Sequence, residues 1–273
     1  MAPTVLAHRV EHGDRASDDA LVLLLNGGFM TAVSWQPVAA TLLEHRGLLR
    51  CDFRGQLLTP GPAHARVEDN VDDVVALLDH LGLARVHVVG TSFGGLVAVH
   101  LATRHPERVA SLAVVTVADH ATAAMFDGAD ELRRVVAAIL DGGERTAFHE
   151  LLVRDVYSAA YAAEQAEVLA ERGRQVAALP DAWFAATGDL VAAIEDYDLR
   201  PHLGDVRCPT LVVVAGDDRV MPPAACRALA AGIDGAVVVE HPTSGHALVT
   251  EDPEWLAERL QRFLAEQSSS PGS

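Results

Sequence analysis

Short apolar runs alternate with amphipathic stretches along most of the chain. The predicted strands, rich in β-branched and aliphatic residues, are residues 20–25, 47–53, 85–90, 109–117, 210–215 and 236–240. The runs 21–25, 86–89 and 211–214 are almost continuously apolar, which is typical of strands covered by helices on both faces. We also expect an edge strand or hairpin within residues 4–10 and a loop over residues 11–19. This alternation predicts an α/β protein with a doubly wound, mostly parallel sheet.

The segments between the strands carry the spacing of helices. Apolar residues recur every three or four positions over residues 68–81, and again over residues 254–264. A further helical run, residues 96–104, follows the predicted strand at 85–90. Because each of the first two segments gathers its apolar residues on one face, we predict helices that pack on the sheet.

The alternation stops between residues 119 and 203, which are rich in Ala, Leu, Val and Glu and contain no convincing strand. We therefore predict a helical cap over residues 119–203, inserted into a core formed by residues 1–118 and 204–273. Most of its large apolar residues are expected to pack the cap against itself, and the rest to line a pocket. These residues are Met125, Phe126, Phe148, Tyr157, Tyr161, Trp183 and Phe184.

Composition and charge narrow the possible partners. Hydrophobic residues make up 50% of the chain, yet no segment approaches the roughly 18 uninterrupted apolar residues of a membrane span. The formal net charge of −17 disfavours nucleic acid and anionic membranes as partners. No apolar segment typical of a secretory signal follows Met1, so a cytoplasmic location is expected. Cys51, Cys208 and Cys226 show neither CxxC spacing nor paired clusters, and we expect no disulfide framework and no metal site.

The sharpest local signal is residues 90–95, GTSFGG, placed between a predicted strand and a predicted helix. A turn this tight requires residues without bulk. It would raise the hydroxyl of Ser92 to the helix N-terminus, where amides and the helix dipole favour a developing negative charge. This context favours a nucleophile over a helix cap at Ser92.

A serine hydroxyl is a weak nucleophile, so it requires a base. His246 follows the predicted strand at residues 236–240, and a flexible glycine precedes it. The carboxyl ends of parallel strands meet at one edge of the sheet, where Ser92 is also expected. We prefer His246 as the base, with His241 as the alternative. Four other histidines are expected on solvated helical or loop surfaces: His45, His80, His105 and His149.

The base in turn requires an acceptor that orients it. Asp217 and Asp218 both follow the predicted strand at residues 210–215. The resulting chain order of serine, aspartate and histidine is the one expected for a hydrolase with a nucleophile elbow. Either carboxylate could orient the imidazole on this reasoning alone.

The chain resembles the α/β-hydrolase superfamily over nearly its whole length, on four motifs in the expected order. They are Asn26-Gly27-Gly28-Phe29 with Trp35 behind it, Asp52-Phe53-Arg54-Gly55, the elbow at Ser92, and Asp218 with Pro222 followed by Gly245-His246 and Glu251-Asp252-Pro253. The resemblance implies that Asp218 is the catalytic acid, since it stands four residues before Pro222. Some relatives carry the acid at the position of Asp119. In relatives two backbone amides bind the oxyanion, and these correspond to Gly28 and Phe93.

Two departures from the family pattern lie near the expected pocket wall. Asn26 replaces the usual histidine, so its amide must supply the loop-stabilising contact or that contact is lost. The common glycine and serine that follow Gly55 are replaced by Leu57 and Thr59. We expect Asp52 and Arg54 to hold this loop by an ion pair.

The predicted function is that of a serine hydrolase, with Ser92 as nucleophile, His246 as base and Asp218 as acid. The expected partner is a small or medium hydrophobic ester, lactone or thioester, and no cofactor is expected. The alternatives are a carbon–carbon bond hydrolase with the same triad, or a ligand-binding or biosynthetic tailoring protein of low turnover on the same fold. The chain is expected to be a monomer or a homodimer.

Overall fold

The computed structural model of the chain describes residues 4–13 and 20–268. Most of the expected loop, residues 14–19, and the C-terminal end of the predicted core, residues 269–273, lie outside the described residues. The described residues form seven strands: β1 (His8–Glu11), β2 (Val22–Leu25), β3 (Leu48–Cys51), β4 (Val86–Thr91), β5 (Val109–Val115), β6 (Thr210–Ala215) and β7 (Val237–His241).

The strands form one sheet in the order β1-β3-β2-β4-β5-β6-β7. β1 pairs antiparallel with β3, and every other pair is parallel. β1 is the predicted edge strand, and it includes Glu11, which the sequence analysis assigned to the following loop. β2, β4 and β6 are buried along their whole length, as their apolar runs predict for strands covered on both faces.

Helices cover both faces of the sheet, which confirms the predicted doubly wound fold. One apolar core contains Val74, Leu96 and Leu229 on three helices, and the core on the other face contains Leu42 and Leu260 on two more. No described helix is both long enough and apolar enough to cross a membrane. The helices are α1 (Gln36–Leu43), α2 (Asn70–His80), α3 (Phe93–Arg104), α4 (Ala123–Leu140), α5 (Thr146–Val156), α6 (Ala159–Glu164), α7 (Ala166–Ala177), α8 (Asp181–Ala192), α9 (Pro223–Ala231), α10 (Leu248–Glu251) and α11 (Pro253–Ser268).

Helices α4–α8 form what we term the five-helix segment, residues 123–192, within the range where the sequence analysis places the cap. Its own apolar cluster is centred on Phe148 and Phe184, both fully buried. Phe148 also makes an edge-to-face contact with Phe29, with ring centroids 5.6 Å apart. Such contacts contribute about 0.5–1.5 kcal/mol each. Because Phe29 belongs to the loop after β2, this contact connects the five-helix segment with the sheet.

Candidate active site

Ser92 lies in the sharp turn between β4 and α3, with φ 50° and ψ −122°. A positive φ strains a residue that has a side chain, and such strain is concentrated at functional sites. The neighbouring glycines make the turn possible. A Cβ atom on Gly90 would lie 2.4 Å from the carbonyl oxygen of Gly94, and one on Gly94 would lie 2.4 Å from that of Leu25. The strand, the turn and the helix therefore hold the hydroxyl of Ser92 above the carboxyl edge of the sheet.

Ser92, His246 and Asp218 form one chain of hydrogen bonds. Nε2 of His246 lies 2.9 Å from Oγ of Ser92, and Nδ1 lies 2.8 Å from Oδ2 of Asp218. A carboxylate can only accept, so the proton of the second bond is on Nδ1 and Nε2 is left to accept from Ser92. Oδ1 of Asp218 accepts the amides of Val220 at 2.9 Å and Met221 at 2.8 Å, which fixes the carboxylate in place.

The alternative acids contact other groups. Half-exposed Asp217 forms an ion pair with Arg219, 3.3 Å between Oδ2 and Nη2. Asp119 bonds the neighbouring His120 at 2.8 Å. The structure therefore brings Asp218, rather than Asp217 or Asp119, to His246.

The alternative base, His241, contacts groups other than Ser92. Its Nε2 lies 3.3 Å from Oδ2 of Asp252, and its Nδ1 accepts the amide of Ser244 at 3.0 Å. Its ring packs edge-on against Trp255. These contacts hold the ring of His241 in place at the end of β7, so its presence there has a structural explanation.

Gly28 and Phe93 lie side by side at the cavity beside Ser92. A Cβ atom on Gly28 would lie 3.9 Å from that of Phe93. Among the described residues, neither backbone amide donates to an acceptor. Both N–H groups are therefore available to an oxygen atom placed next to Ser92.

Asn26 does supply the contact that its family position requires. Its Nδ2 donates to the carbonyl oxygen of Cys51 at 2.8 Å and to Oε1 of Gln56 at 3.0 Å. Its Oδ1 accepts from the indole of Trp35 at 3.0 Å. The buried side chain thus connects the loop after β2 with the loop after β3.

The prediction of an ion pair between Asp52 and Arg54 is wrong. Arg54 instead bonds the buried Asp73 of α2, 2.6 Å between Nε and Oδ2. Asp52 accepts the backbone amides of Ala32 at 2.6 Å and Leu58 at 2.9 Å. Arg54 bonds a carboxylate 19 residues away and Asp52 accepts main-chain amides, so adjacency along the chain was misleading.

A cavity of about 850 Å³ opens beside Ser92, between the sheet and the five-helix segment. Most of the seven large apolar residues named above were expected to pack the cap against itself. Phe148, Trp183 and Phe184 do pack together within the five-helix segment, and Tyr157 stacks on Tyr161. Four of the seven also line the cavity: Met125, Phe148, Tyr157 and Trp183. Phe184 is fully buried among the helices, and Phe126 is exposed. The cavity wall is therefore largely apolar and aromatic.

His149 was expected on a solvated surface, and the structure contradicts this. The side chain is 6% exposed and lies at the cavity wall on α5. Burial lowers its pKa, so the imidazole is neutral near pH 7. Its Nε2 has no hydrogen-bond partner among the described residues. The available sequence signal was helical spacing: His149 stands three residues before the apolar Leu152, so the two share a face of α5.

Three charged residues that line the cavity form ion pairs with one another. Arg154 bonds Glu131 at 2.8 Å and Asp155 at 2.7 Å. Hydrogen bonds to Asp155 and Glu131 raise the pKa of Arg154 above its usual range. Both carboxylates are bonded to the one guanidinium, so the group keeps one net negative charge.

The three cysteines are free thiols. Burial, together with the charge of Asp52, raises the pKa of Cys51 to about 12, which makes it a poor nucleophile. Within residues 4–13 and 20–268, no cluster of three or more His, Cys, Asp or Glu side chains is arranged to hold a metal ion.

The chain is similar to known proteins over nearly its whole length. A family model described as the alpha/beta hydrolase fold matches residues 20–253. The chain is 33% identical to a protein of Variovorax paradoxus (strain S110) named carbamate hydrolase RutD, over 97% of this chain and 98% of that protein. It is 31% identical to a protein of the same name from Pantoea ananatis (strain LMG 20103), with 95% and 93% covered. Among solved structures, it is similar to the enol-lactonase from Burkholderia xenovorans LB400, with 28% identity, a TM-score of 0.82 and coverage of 95% and 96%.

Proposed function

The chain belongs to the α/β-hydrolase fold family and is a hydrolase, and we propose that it cleaves a small or medium hydrophobic ester, lactone or thioester through an acyl-enzyme. In this proposal Ser92 is the nucleophile, His246 the base and Asp218 the acid that orients it. The observation that carries the proposal is the hydrogen-bonded chain formed by these three side chains, with bonds of 2.8 and 2.9 Å.

In the acylation step, Oγ of Ser92 attacks the carbonyl carbon while its proton passes to Nε2 of His246. The carbonyl oxygen becomes an oxyanion, which the amides of Gly28 and Phe93 bind. The bond from the carbonyl carbon to the leaving oxygen or sulfur then breaks. The proton on His246 passes to that atom, which becomes an alcohol or a thiol. Asp218 stabilises the imidazolium while it exists.

In the deacylation step, His246 takes a proton from water, and the resulting hydroxide attacks the ester carbon on Ser92. A second oxyanion forms at the same two amides. Collapse of this intermediate breaks the bond to Oγ, and His246 returns the proton to Ser92. The products are a carboxylic acid and the regenerated enzyme.

The cavity supports a hydrophobic acyl or leaving group. A volume of about 850 Å³ lies within the usual range for small-molecule sites, roughly 300–1,000 Å³. Its aromatic wall favours apolar groups over a polymer or a bare ion. In this proposal the five-helix segment acts as the cap, because it supplies Phe148 and Trp183 to that wall.

A carbamate is the second candidate substrate, and the relatives named carbamate hydrolase RutD favour it. Its carbonyl carbon would meet Ser92 as the carbon of an ester does. Unsubstituted carbamate contains only four heavy atoms and would leave most of the cavity unfilled. A carbamate with an apolar substituent therefore fits this cavity better.

Labelling with a fluorophosphonate tests the activated serine. We expect the wild-type protein to be labelled and the Ser92→Ala variant to remain unlabelled. Equal labelling of the two proteins would overturn the proposal. A panel of p-nitrophenyl esters of increasing acyl length, lactones, thioesters and substituted carbamates then compares the substrate classes by kcat/KM.

A further inference from the structure

Gln56 has a buried side chain whose four hydrogen-bonding positions are all occupied. Its Nε2 donates to the carbonyl oxygens of Gly27 at 2.8 Å and Gly28 at 3.3 Å. Its Oε1 accepts the backbone amide of Phe53 at 2.9 Å and Nδ2 of Asn26 at 3.0 Å. The side chain therefore connects the loop after β3 with the two glycines beside Ser92.

The orientation of this carboxamide follows from its backbone partners. The amide of Phe53 can only donate, so the oxygen of Gln56 must face it. The carbonyls of Gly27 and Gly28 can only accept, so they must face the NH₂ group. Rotating the carboxamide by 180° would break all of these bonds at once.

Of the two hydrogen bonds to the Gly27 carbonyl, from Gln56 at 2.8 Å and from the amide of Met30 at 3.1 Å, the shorter one comes from Gln56, and this carbonyl sets the direction of the Gly28 amide. The peptide between Gly27 and Gly28 is trans, so its C=O and N–H groups point in opposite directions. Gln56 holds the C=O on the buried side of the loop. The N–H group of Gly28 is consequently directed away from Gln56, on the side where the cavity meets Ser92.

Two consecutive glycines cannot hold this peptide plane by themselves. Glycine lacks a Cβ atom and allows φ and ψ values that other residues exclude, so the plane between Gly27 and Gly28 can rotate at low cost. The Gly27 carbonyl also accepts the amide of Met30 at 3.1 Å. Losing the donor of Gln56 would leave Gly27 with that longer bond alone and would remove the bond to the Gly28 carbonyl, so the peptide plane would be held less firmly.

We propose that Gln56 is a positioning residue of the oxyanion hole, which aligns the Gly28 amide by holding the Gly27 carbonyl. This inference rests on the proposed function, because it requires Gly28 to bind an oxyanion. Gln56 itself would not touch the substrate. Its effect would be confined to the states in which the carbonyl oxygen carries negative charge.

The test compares two variants with a matched control. Gln56→Glu keeps the shape and the acceptor oxygen but removes the NH₂ donor, and Gln56→Met removes both. The control is Asn70→Asp, because buried Asn70 also donates its NH₂ group to two backbone carbonyls, those of Arg66 and Val67. Asn70 begins α2 and does not line the cavity.

We expect both Gln56 variants to lower kcat by about 10- to 100-fold, less than the loss of a whole oxyanion-hole donor. KM should not change, and Asn70→Asp should retain the wild-type kcat. The substrate is the p-nitrophenyl ester that the wild-type protein hydrolyses fastest.

An inhibitor pair distinguishes positioning from general damage to the fold. A trifluoromethyl ketone adds to Ser92 and places an oxyanion in the hole, whereas the corresponding unreactive ether only fills the cavity. We expect Ki of the ketone to rise by the factor by which kcat/KM falls, and Ki of the ether to stay constant. Equal weakening of both inhibitors, unchanged kcat, or unfolding of both variants would overturn the inference. A wild-type protein without Ser92-dependent turnover would instead overturn the proposed function.

Discussion

The carboxylate of Glu251 holds Ser158 twice: Oε1 accepts the backbone amide at 2.8 Å and Oε2 accepts the hydroxyl at 2.7 Å. The same carboxylate accepts the amide of Gly245 at 3.2 Å. Ser158 caps α6 in the five-helix segment, and Gly245 immediately precedes His246. One side chain therefore connects the helices over the cavity with the loop that carries the imidazole.

Glu251→Gln is expected to weaken this connection, because an amide offers one acceptor oxygen where the carboxylate offers two. The free energy of unfolding should fall by about 1.5–3 kcal/mol, the range for hydrogen bonds to a charged group. We also expect kcat to fall, since the loop before His246 loses a fixed partner. Urea unfolding and steady-state kinetics measure the two effects.

Ser158→Ala is the control for Glu251, because it keeps the bonds from the carboxylate to the two amides while it removes the hydroxyl bond and the cap bond from the amide of Tyr161. It should also lose stability, by about 0.5–2 kcal/mol for the cap in addition to the hydroxyl bond, but its kcat should stay close to the wild-type value. A Glu251→Gln variant that loses stability but keeps kcat would show that this contact does not affect His246.

Asp218→Asn and Asp217→Asn should differ widely in kcat. In Asp218→Asn the amide can present its NH₂ group to Nδ1 and stabilise the wrong tautomer of His246. A comparable change in a serine protease costs about 10⁴ in kcat. Asp217 is exposed and bonded to Arg219, so its variant should retain activity. Steady-state kinetics with one ester substrate decides the matter, and the reverse ranking would transfer the acid role to Asp217.

Gly94→Ala should disrupt the turn at Ser92, because the new Cβ atom would lie 2.4 Å from the carbonyl oxygen of Leu25. Overpacking of this kind costs about 1–3 kcal/mol and sometimes more, and labelling of Ser92 should fall as well. Gly128→Ala is the control, since a Cβ atom there meets nothing within 4 Å. Because Gly128 lies within α4 and alanine is the better helix former, Gly128→Ala should stabilise the protein by about 1 kcal/mol. Urea unfolding that ranks the two variants equally would contradict this prediction.

The stability of the protein should depend on pH through His100 on α3. Burial lowers the pKa of His100 to about 4, with Glu68 opposing the shift and His202 adding to it. The unfolded chain has a pKa of about 6.5 there. Because the folded pKa is the lower one, the unfolded state binds the proton first. The stability is fully present above about pH 6.5 and is lost as the pH falls through 4.

This loss amounts to roughly 3 kcal/mol between neutral pH and pH 4. A His100→Gln variant should lose that part of the pH dependence, whereas a variant of the exposed His45, His45→Gln, should keep it. Free energies of unfolding in urea across this pH range measure the difference. Identical slopes in the two variants would contradict the prediction.

The fold class and the location of the turn at Ser92 could be predicted from the amino-acid sequence. Both depend on local patterns: apolar runs the length of a strand, helical spacing, and glycines around one serine. Six predicted strands lie within a residue or two of the observed ones. The helix predicted at residues 96–104 begins earlier, at Phe93, because the glycine-rich turn enters the helix directly.

Which polar groups meet could not be predicted in this way, because their contacts depend on how the chain folds. His246 is separated from Ser92 by 154 residues and from Asp218 by 28, and sequence alone could not distinguish Asp218 from Asp217 by contact. The same reason explains why the predicted ion pair at Asp52 was wrong and why the burial of His149 was not predicted. A hydrogen bond depends on distance and direction in space, and a linear pattern of residue types does not contain either for groups that lie far apart along the chain.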